Sequence, residues 1–288
     1  MNSILGKASQ LSMLLKVLWQ RAKPAVMPNS IYTRELPSDQ QAVDIFRDEW
    51  ASRIPGRLVS GPGPMFEGDA RPQWFADRIG GLQGRTVLEL GPLEGGHSYQ
   101  LERMGALVTG VEGNRLAFQR CLITKNILGM RAKFLFGDFV RYLAEGQDRF
   151  DVVFASGVLY HMQDPLKVLH DICRTADHVY LWTHYFDREQ IDASPVARRA
   201  FASDMTKTFE IDGLSVLGHQ QRYTTGLLTY FMPGFCGGMK RSTYWLQLDD
   251  IKAAFTRFGF EIVGIELNPS DTPHGPNVSI AARRHDRG

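Results

Sequence analysis

The stretch from Thr86 to Gly96 reads Thr-Val-Leu-Glu-Leu-Gly-Pro-Leu-Glu-Gly-Gly, and it constrains the fold more than any other part of the chain. Val87, Leu88 and Leu90 are apolar and run straight into glycine, the pattern of a short strand buried on both faces. His97 to Met104 reads as the helix beyond the turn. A strand, a glycine turn and a helix leave backbone N–H groups unpaired at the helix start, and glycine lets a ligand approach them. The unit is therefore a ligand site as well as a structural element.

A dinucleotide does not fit this turn. The fingerprint G-x-G-x-x-G needs its second glycine where Leu93 follows Pro92, so a pyrophosphate would meet a side chain. Glu89, in the first strand, would repel a phosphate but suits a ligand that carries an amino group. Ala106 to Val111 is a second strand ending at Glu112, about 20 residues past Gly91, the distance at which an acid meets ribose hydroxyls. Ala132 to Gly137 is a third strand, ending at Asp138. Phe150 to Ala155 is a fourth and runs into Ser156-Gly157-Val158-Leu159-Tyr160-His161. Successive strand ends carrying Glu89 and Gly91, Glu112, Asp138 and Ser156 fit a cationic nucleoside with an amino-acid tail.

On these residues the chain resembles the class I S-adenosylmethionine (SAM) dependent methyltransferases, well over residues 82–185 and loosely at its end. The resemblance implies a doubly wound, mostly parallel, seven-stranded Rossmann-like α/β sheet with SAM as cofactor. It implies that Glu89 and the turn through Gly91, Pro92, Leu93 and Gly95 hold the methionyl part. Glu112, beside Gly113, would bind both ribose hydroxyls, and Asp138 with the backbone of Phe139 would bind adenine. Ser156 and Gly157 would complete the cofactor set. The departure is Pro92-Leu93-Glu94, where the family more often has a second glycine.

Chain order then divides the molecule. Residues 1–80 form an N-terminal extension, 81–185 the SAM-binding core, 186–245 an insert after the fifth strand, and 246–288 a closing helix with a strand pair. Within residues 1–23, Leu11, Leu14, Leu15 and Leu18 share a helical face beside Lys7, Lys16 and Arg21. Such a basic amphipathic helix packs on the protein's own body, a partner subunit or an anionic membrane surface. Ser38 to Trp50 and Arg71 to Ile79 read as helices, and Met65, Phe66, Trp74 and Phe75 are candidates for the wall of the site or for the core. Asn114 caps a long helix closed by Gly129, and Asp164-Pro165 opens another. His178 to Tyr185 is the fifth strand. In the insert, Pro195 to Met205 looks helical and Tyr230 to Gly238 is an aromatic, glycine-rich turn. Leu248 to Phe258 is the last helix, before strands at Glu261 to Leu267 and Val278 to Ala282.

Composition narrows the partners. A formal charge of +2 is too small to imply nucleic acid. Cys121, Cys173 and Cys236 are dispersed, with no disulfide framework and no metal site, which points to reduced thiols in the cytoplasm. Lys16 interrupts the only apolar stretch that would serve a signal peptide, and no run approaches the ~20 residues of a membrane span.

Methyl transfer from a sulfonium asks the protein to align a nucleophile and exclude water, and a base helps when the acceptor is a hydroxyl. His161 is the first candidate, beside Tyr160 at the fourth strand end; His184, after the fifth strand, is the second, and His97 near the turn reads mainly as structure. Gly157 to His161, Asp164-Pro165-Leu166 and Leu82 to Leu88 behind Trp74 are also similar to the tRNA wobble-uridine carboxymethyltransferases. That family uses a carboxylated SAM, held partly by a lysine upstream of the turn, and no lysine lies between Lys23 and Lys125 here. The expectation is plain SAM and O-methylation of a small-molecule or sugar hydroxyl. The alternatives are a tRNA-modifying enzyme and a non-catalytic SAM-binding protein; Glu112 and Asp138, both present, speak against the latter.

Overall fold

The computed structural model describes residues 32–146, 148–223, 240–268 and 274–285. Two short helices, α1 (Asp39–Val43) and α2 (Arg71–Arg78), precede the first strand. Strict alternation follows: β1 (Thr86–Leu90), α3 (Gly96–Arg103), β2 (Leu107–Glu112), α4 (Arg115–Leu128), β3 (Lys133–Phe136), α5 (Phe139–Glu145), β4 (Phe150–Ser156), α6 (Pro165–Thr175) and β5 (Ala176–His184). The insert holds α7 (Arg188–Ala193), α8 (Pro195–Ala200), β6 (Thr206–Ile211), β7 (Leu214–Arg222) and β8 (Ser242–Trp245). The final elements are α9 (Leu248–Arg257), β9 (Phe260–Asn268) and β10 (Asn277–Arg284).

Seven strands form one sheet in the order β3-β2-β1-β4-β5-β10-β9, with β1 to β5 parallel and β10 antiparallel between β5 and β9. This is the doubly wound, Rossmann-like sheet the sequence leads one to expect. Side chains alternate across it. Leu88, Leu90, Val153 and Leu181 face a core shared with α6 and α9, while Val87, Phe154 and Tyr180 face α2 and α3. Phe154 and Tyr180 stack with their centroids 4.3 Å apart. The order reverses between β1 and β4, so the cleft for a ligand opens at their carboxyl ends.

Several boundaries differ from expectation. The Ser38–Trp50 helix ends early: α1 passes into a 3-10 turn at Asp44–Phe46, and Asp48 takes a left-handed φ of 65°. Folding back buries Phe46 and Trp50 and lets the Trp50 indole donate to the Val43 carbonyl. The helix at Pro195 stops at Ala200 rather than Met205, because the chain turns at Asp204 (φ 47°) into β6. The insert is built mainly on a three-stranded antiparallel sheet, β6-β7-β8. Its hairpin turns on Asp212 (φ 50°) and Gly213 (φ 76°), an Asp-Gly pair with the handedness a two-residue hairpin loop favours. The amphipathic segment within residues 1–23 and the turn from Tyr230 to Gly238 lie outside the described residues.

Candidate functional site

The cofactor side of the cleft is built from β1, β2 and the turns that follow them. Between β1 and α3 the backbone is left-handed at Gly91 (φ 65°), Leu93 (58°) and Gly95 (81°). Leu93 holds the conformation a glycine adopts freely, at a cost of about 1–2 kcal/mol, so the turn keeps its shape without the second glycine. Pro92 is accommodated from below: a Cβ on Gly110 of β2 would lie 3.1 Å from its ring.

Glu112 ties two turns together. One carboxylate oxygen accepts the Leu93 N–H at 2.9 Å and the other the Asn114 N–H at 2.7 Å. Burial pushes this carboxyl up, against the pull of those donors and of Arg120. An ionised carboxylate has about four lone-pair sites, so Glu112 keeps acceptor capacity on the face toward the cleft. Gly113 follows it, opposite the Gly137 carbonyl. Asp138 caps α5 by accepting the Val140 N–H at 2.8 Å. The Phe139 side chain packs on the core, leaving its backbone as the part available to a ligand.

Glu89 is the buried acid of the first strand. It is 2% exposed, burial pushes its carboxyl up to about 8, and the Ser98 hydroxyl donates to it. A buried carboxyl that resists ionisation is the partner a cationic ligand group would satisfy. The His97 Nδ1 lies 3.8 Å away.

Sequence reasoning missed the wall opposite. His97 Nε2 and the Arg71 guanidinium both meet Asp69, at 2.9 Å from Nε2 and 2.9 Å from Arg71 Nε. Burial would raise the Asp69 carboxyl, but the hydrogen bonds from His97 and Arg71 outweigh it and hold it well below the usual carboxylate range. Arg71 also donates to Ser156 Oγ at 3.2 Å and lies over the Trp182 ring at 5.0 Å. The signal in the sequence is Arg71 itself, a cation that opens the helix ahead of the first strand, where the carboxymethyltransferase pattern has a lysine. Phe66 and Phe75 are fully buried core residues, Trp74 packs against Tyr180, and Met65 lies over Gly96, where a Cβ would be 2.8 Å from its side chain.

The other side of the cleft is aromatic. Tyr160 and His161 sit on a 3-10 turn, Leu159–His161, with centroids 4.1 Å apart. Around Tyr160 stand His184 at 4.8 Å, Trp182 at 5.8 Å and Trp245 at 6.1 Å, and the Trp245 indole donates to the Tyr160 carbonyl. His184 stacks on Trp245 at 4.9 Å. Its Nδ1 faces the carbonyls of Pro276 at 3.1 Å and Gly275 at 3.2 Å, which only accept, so Nδ1 carries the proton and Nε2 the lone pair. His161 Nδ1 lies 2.5 Å from the Tyr223 hydroxyl, a contact from the insert that the sequence did not disclose. Burial, then the nearby His184, hold the His161 imidazole down to about 3, so it stays neutral through the neutral range. Ser156 and Gly157 (φ 81°) lie at the junction of the two sides, and a Cβ on Gly157 would stand 3.5 Å from the Tyr160 hydroxyl.

Comparison with known proteins identifies the family and the fold. A family model described as "Methyltransferase domain" matches residues 82–246, more than half of the chain. A ubiquinone biosynthesis O-methyltransferase of Pseudoalteromonas translucida is 28% identical over 106 residues, 37% of this chain and 45% of that protein. A tRNA U34 carboxymethyltransferase of Marinobacter nauticus is 31% identical over 112 residues, 37% of this chain and 34% of that protein. The matched stretch thus spans less than half the length of these curated relatives. Among solved structures, the N-terminal domain of EvdMO1, determined with S-adenosylhomocysteine (SAH) and D-fucose, superposes with a TM-score of 0.61 at 22% identity, covering 91% of this chain and 98% of that one. Magnesium protoporphyrin IX methyltransferase from Synechocystis PCC 6803, with bound SAH, gives 0.51 at 16% identity, covering 88% and 90%. These are likenesses of fold. No helix among the described residues is long and apolar enough to cross a membrane.

Proposed function

The chain belongs to the methyltransferase-domain family and is a SAM-dependent methyltransferase, and from that premise we propose that it methylates a hydroxyl of a small-molecule or sugar acceptor. The observation that carries this reading is the aromatic, uncharged wall formed by Tyr160, Trp182, His184 and Trp245 beside Ser156. Aromatic faces and neutral imidazoles suit an uncharged ring with hydroxyls, which stacks on one and hydrogen-bonds to the other. The EvdMO1 domain was crystallised in the presence of D-fucose, a molecule of that class.

In this reading the residues of the chain divide the work. Glu89 meets the amino group of the cofactor, the Gly91–Gly95 turn shapes the floor on which its methionyl part rests, and Glu112 takes the ribose hydroxyls. Asp138 and the backbone at Phe139 take the adenine. Arg71, held by Asp69, faces the cofactor's carboxylate from the junction at Ser156. SAM, when bound, supplies a methyl group already activated as a sulfonium. The described parts of the insert stand beside the acceptor, with Trp245 and Tyr223 reaching Tyr160 and His161. His161 accepts the hydroxyl proton, and its depressed basicity makes alignment the larger part of its contribution; His184 Nε2 is the second acceptor in reach of the same ring. Two buried free thiols, Cys121 and Cys173, support a reducing, cytoplasmic setting in this reading.

A second reading rests on Arg71. It puts a cation at the wall where a lysine was expected for a carboxylated SAM, and the tRNA carboxymethyltransferase relative gives that cofactor weight. Asp69 already pairs with Arg71, leaving little net charge for a second carboxylate, which favours plain SAM. The deciding experiment incubates the purified protein with SAM and, separately, hydroxylated small molecules, deoxysugars and unmodified tRNA, with mass spectrometry of the products. Methyl gain on a hydroxyl compound is expected; gain only on tRNA would replace this reading with the second.

A further inference from the structure

Glu94 stands in the middle of the cofactor turn yet faces away from the cleft. It is fully buried, and its two carboxylate oxygens accept the backbone N–H groups of Ala51 at 2.7 Å and Ser52 at 3.0 Å. Arg120 of α4, 3% exposed, brings Nε to 3.5 Å from the same carboxylate and Nη1 to 3.7 Å from Glu49. The Thr124 hydroxyl, one turn further along α4, donates to the Glu94 carbonyl at 2.8 Å. Residue 94 is thus fastened at both ends, its main chain to α4 and its side chain to the N-terminal segment. Two residues on the same side of α3 repeat the pattern at a spacing of three: His97 meets Asp69, and Gln100 donates to the Met65 carbonyl at 2.8 Å.

Stability does not account for the charges. A buried ion pair is a weak source of stability against apolar residues of similar size, and this one makes poor use of its groups. Arg120 Nε and Nη1 and Glu49 Oε2 have no hydrogen-bond partner among the described residues. Location accounts for them better, because Leu93, whose N–H binds Glu112, is the residue directly before Glu94. We propose that Glu94 and Arg120 are positioning residues for the cofactor, locking residues 49–52 to the back of the turn and thereby holding the left-handed path that keeps the Leu93 N–H on Glu112 and Glu112 in place for the ligand. The Arg120 charge acts in the same direction by favouring the ionised Glu112. A consequence is that cofactor occupancy and docking of the N-terminal segment strengthen each other.

The test is calorimetric titration of the full-length protein with SAH, run beside limited proteolysis of the N-terminal segment. Glu94→Ala should weaken SAH binding about tenfold or more and speed cleavage before residue 65, with the loss in activity appearing in KM for SAM more than in kcat. Glu94→Gln, which keeps one acceptor oxygen, should recover most of the affinity. SAH should slow cleavage of the wild type. Affinity within twofold of wild type in Glu94→Ala, with faster cleavage, would reduce Glu94 to a docking contact and overturn the proposal. Where Glu94→Ala does not fold, Arg120→Met decides on the same criterion. Absence of SAH binding by every form, wild type included, would instead overturn the cofactor assignment on which the proposal rests.

Discussion

The two sides of the cleft solve opposite problems. On the side of β1 and β2 the chain buries carboxyl groups, Glu89 and Glu112, whose ionised forms burial disfavours. On the side of β4 and β5 it buries imidazoles, His161 and His184, whose charged forms burial also disfavours. Low polarity raises the first pair and lowers the second, putting Glu89 near 8 and leaving His161 neutral before a ligand arrives. The difference lies in what each side still lacks. A buried acid waits for a cation, whereas a stacked, neutral imidazole waits for nothing but a hydrogen bond. In the proposed function, binding energy therefore belongs to the first side, and alignment of the acceptor to the second.

The largest expected effect separates them most sharply. His161→Ala should lower turnover about 10²-fold, the low end for proton transfer by a side chain because this imidazole is a weak base, while calorimetry shows SAM affinity unchanged. Full turnover in that variant would shift the proton-accepting role to His184 or leave transfer to alignment alone. Glu112→Ala should do the reverse, weakening SAM about tenfold or more through the loss of charge-assisted hydrogen bonds to hydroxyls; unchanged affinity would remove Glu112 from the site. A smaller effect concerns pH. Because the Glu89 carboxyl lies near 8 in the free protein and the cation-bound form is ionised, SAM affinity should climb as pH rises toward about 8 and level off above, by less than tenfold per unit. Turnover at saturating SAM should show no acid limb at pH 6–7 from His161, in contrast to an exposed histidine. The smallest effect is on stability. A carboxyl held protonated in the folded chain but ionised when unfolded makes stability fall as pH rises from about 4.5 to 8. Glu89→Gln should cancel that fall and raise the melting temperature by a few degrees at pH 8, measured by calorimetry, at the expense of SAM affinity.

Much of the first side was legible in the sequence and little of the second. Glu89, Gly91, Glu112 and Asp138 are placed by local rules, since a strand ends, a turn begins, and the next acid comes at a fixed distance. Tyr160 and His161 were also found, because they directly follow a strand. Trp182 and Tyr223 were not assembled around them, since that requires knowing how β5 and the end of β7 meet, and long-range pairing leaves no local mark. The insert hairpin was a different failure, for Asp212-Gly213 between Ile211 and Leu214 is a recognisable turn signal that went unused. Arg71 and Asp69 form the intermediate case: their segment was expected at the mouth, but which of its side chains turn inward depends on packing against α3. Glu94 reads in sequence as one more acid of the turn, and only the fold shows that it points backward.

The insert leaves the sheet at Phe186 and returns at Gln247, and these two residues form a bridge, with the Phe186 N–H donating to the Leu246 carbonyl at 2.8 Å. Exit and re-entry lie side by side, so in evolutionary terms the segment is a cassette, exchangeable without lengthening or re-threading the scaffold. The exchange carries one condition. Phe209 and Val216 of the insert belong to the same core as Leu166 and Ile172 of α6. A replacement must bring apolar residues of its own to that face, and a lineage that changes acceptors by swapping this cassette would be expected to vary its outer wall freely while keeping that footing.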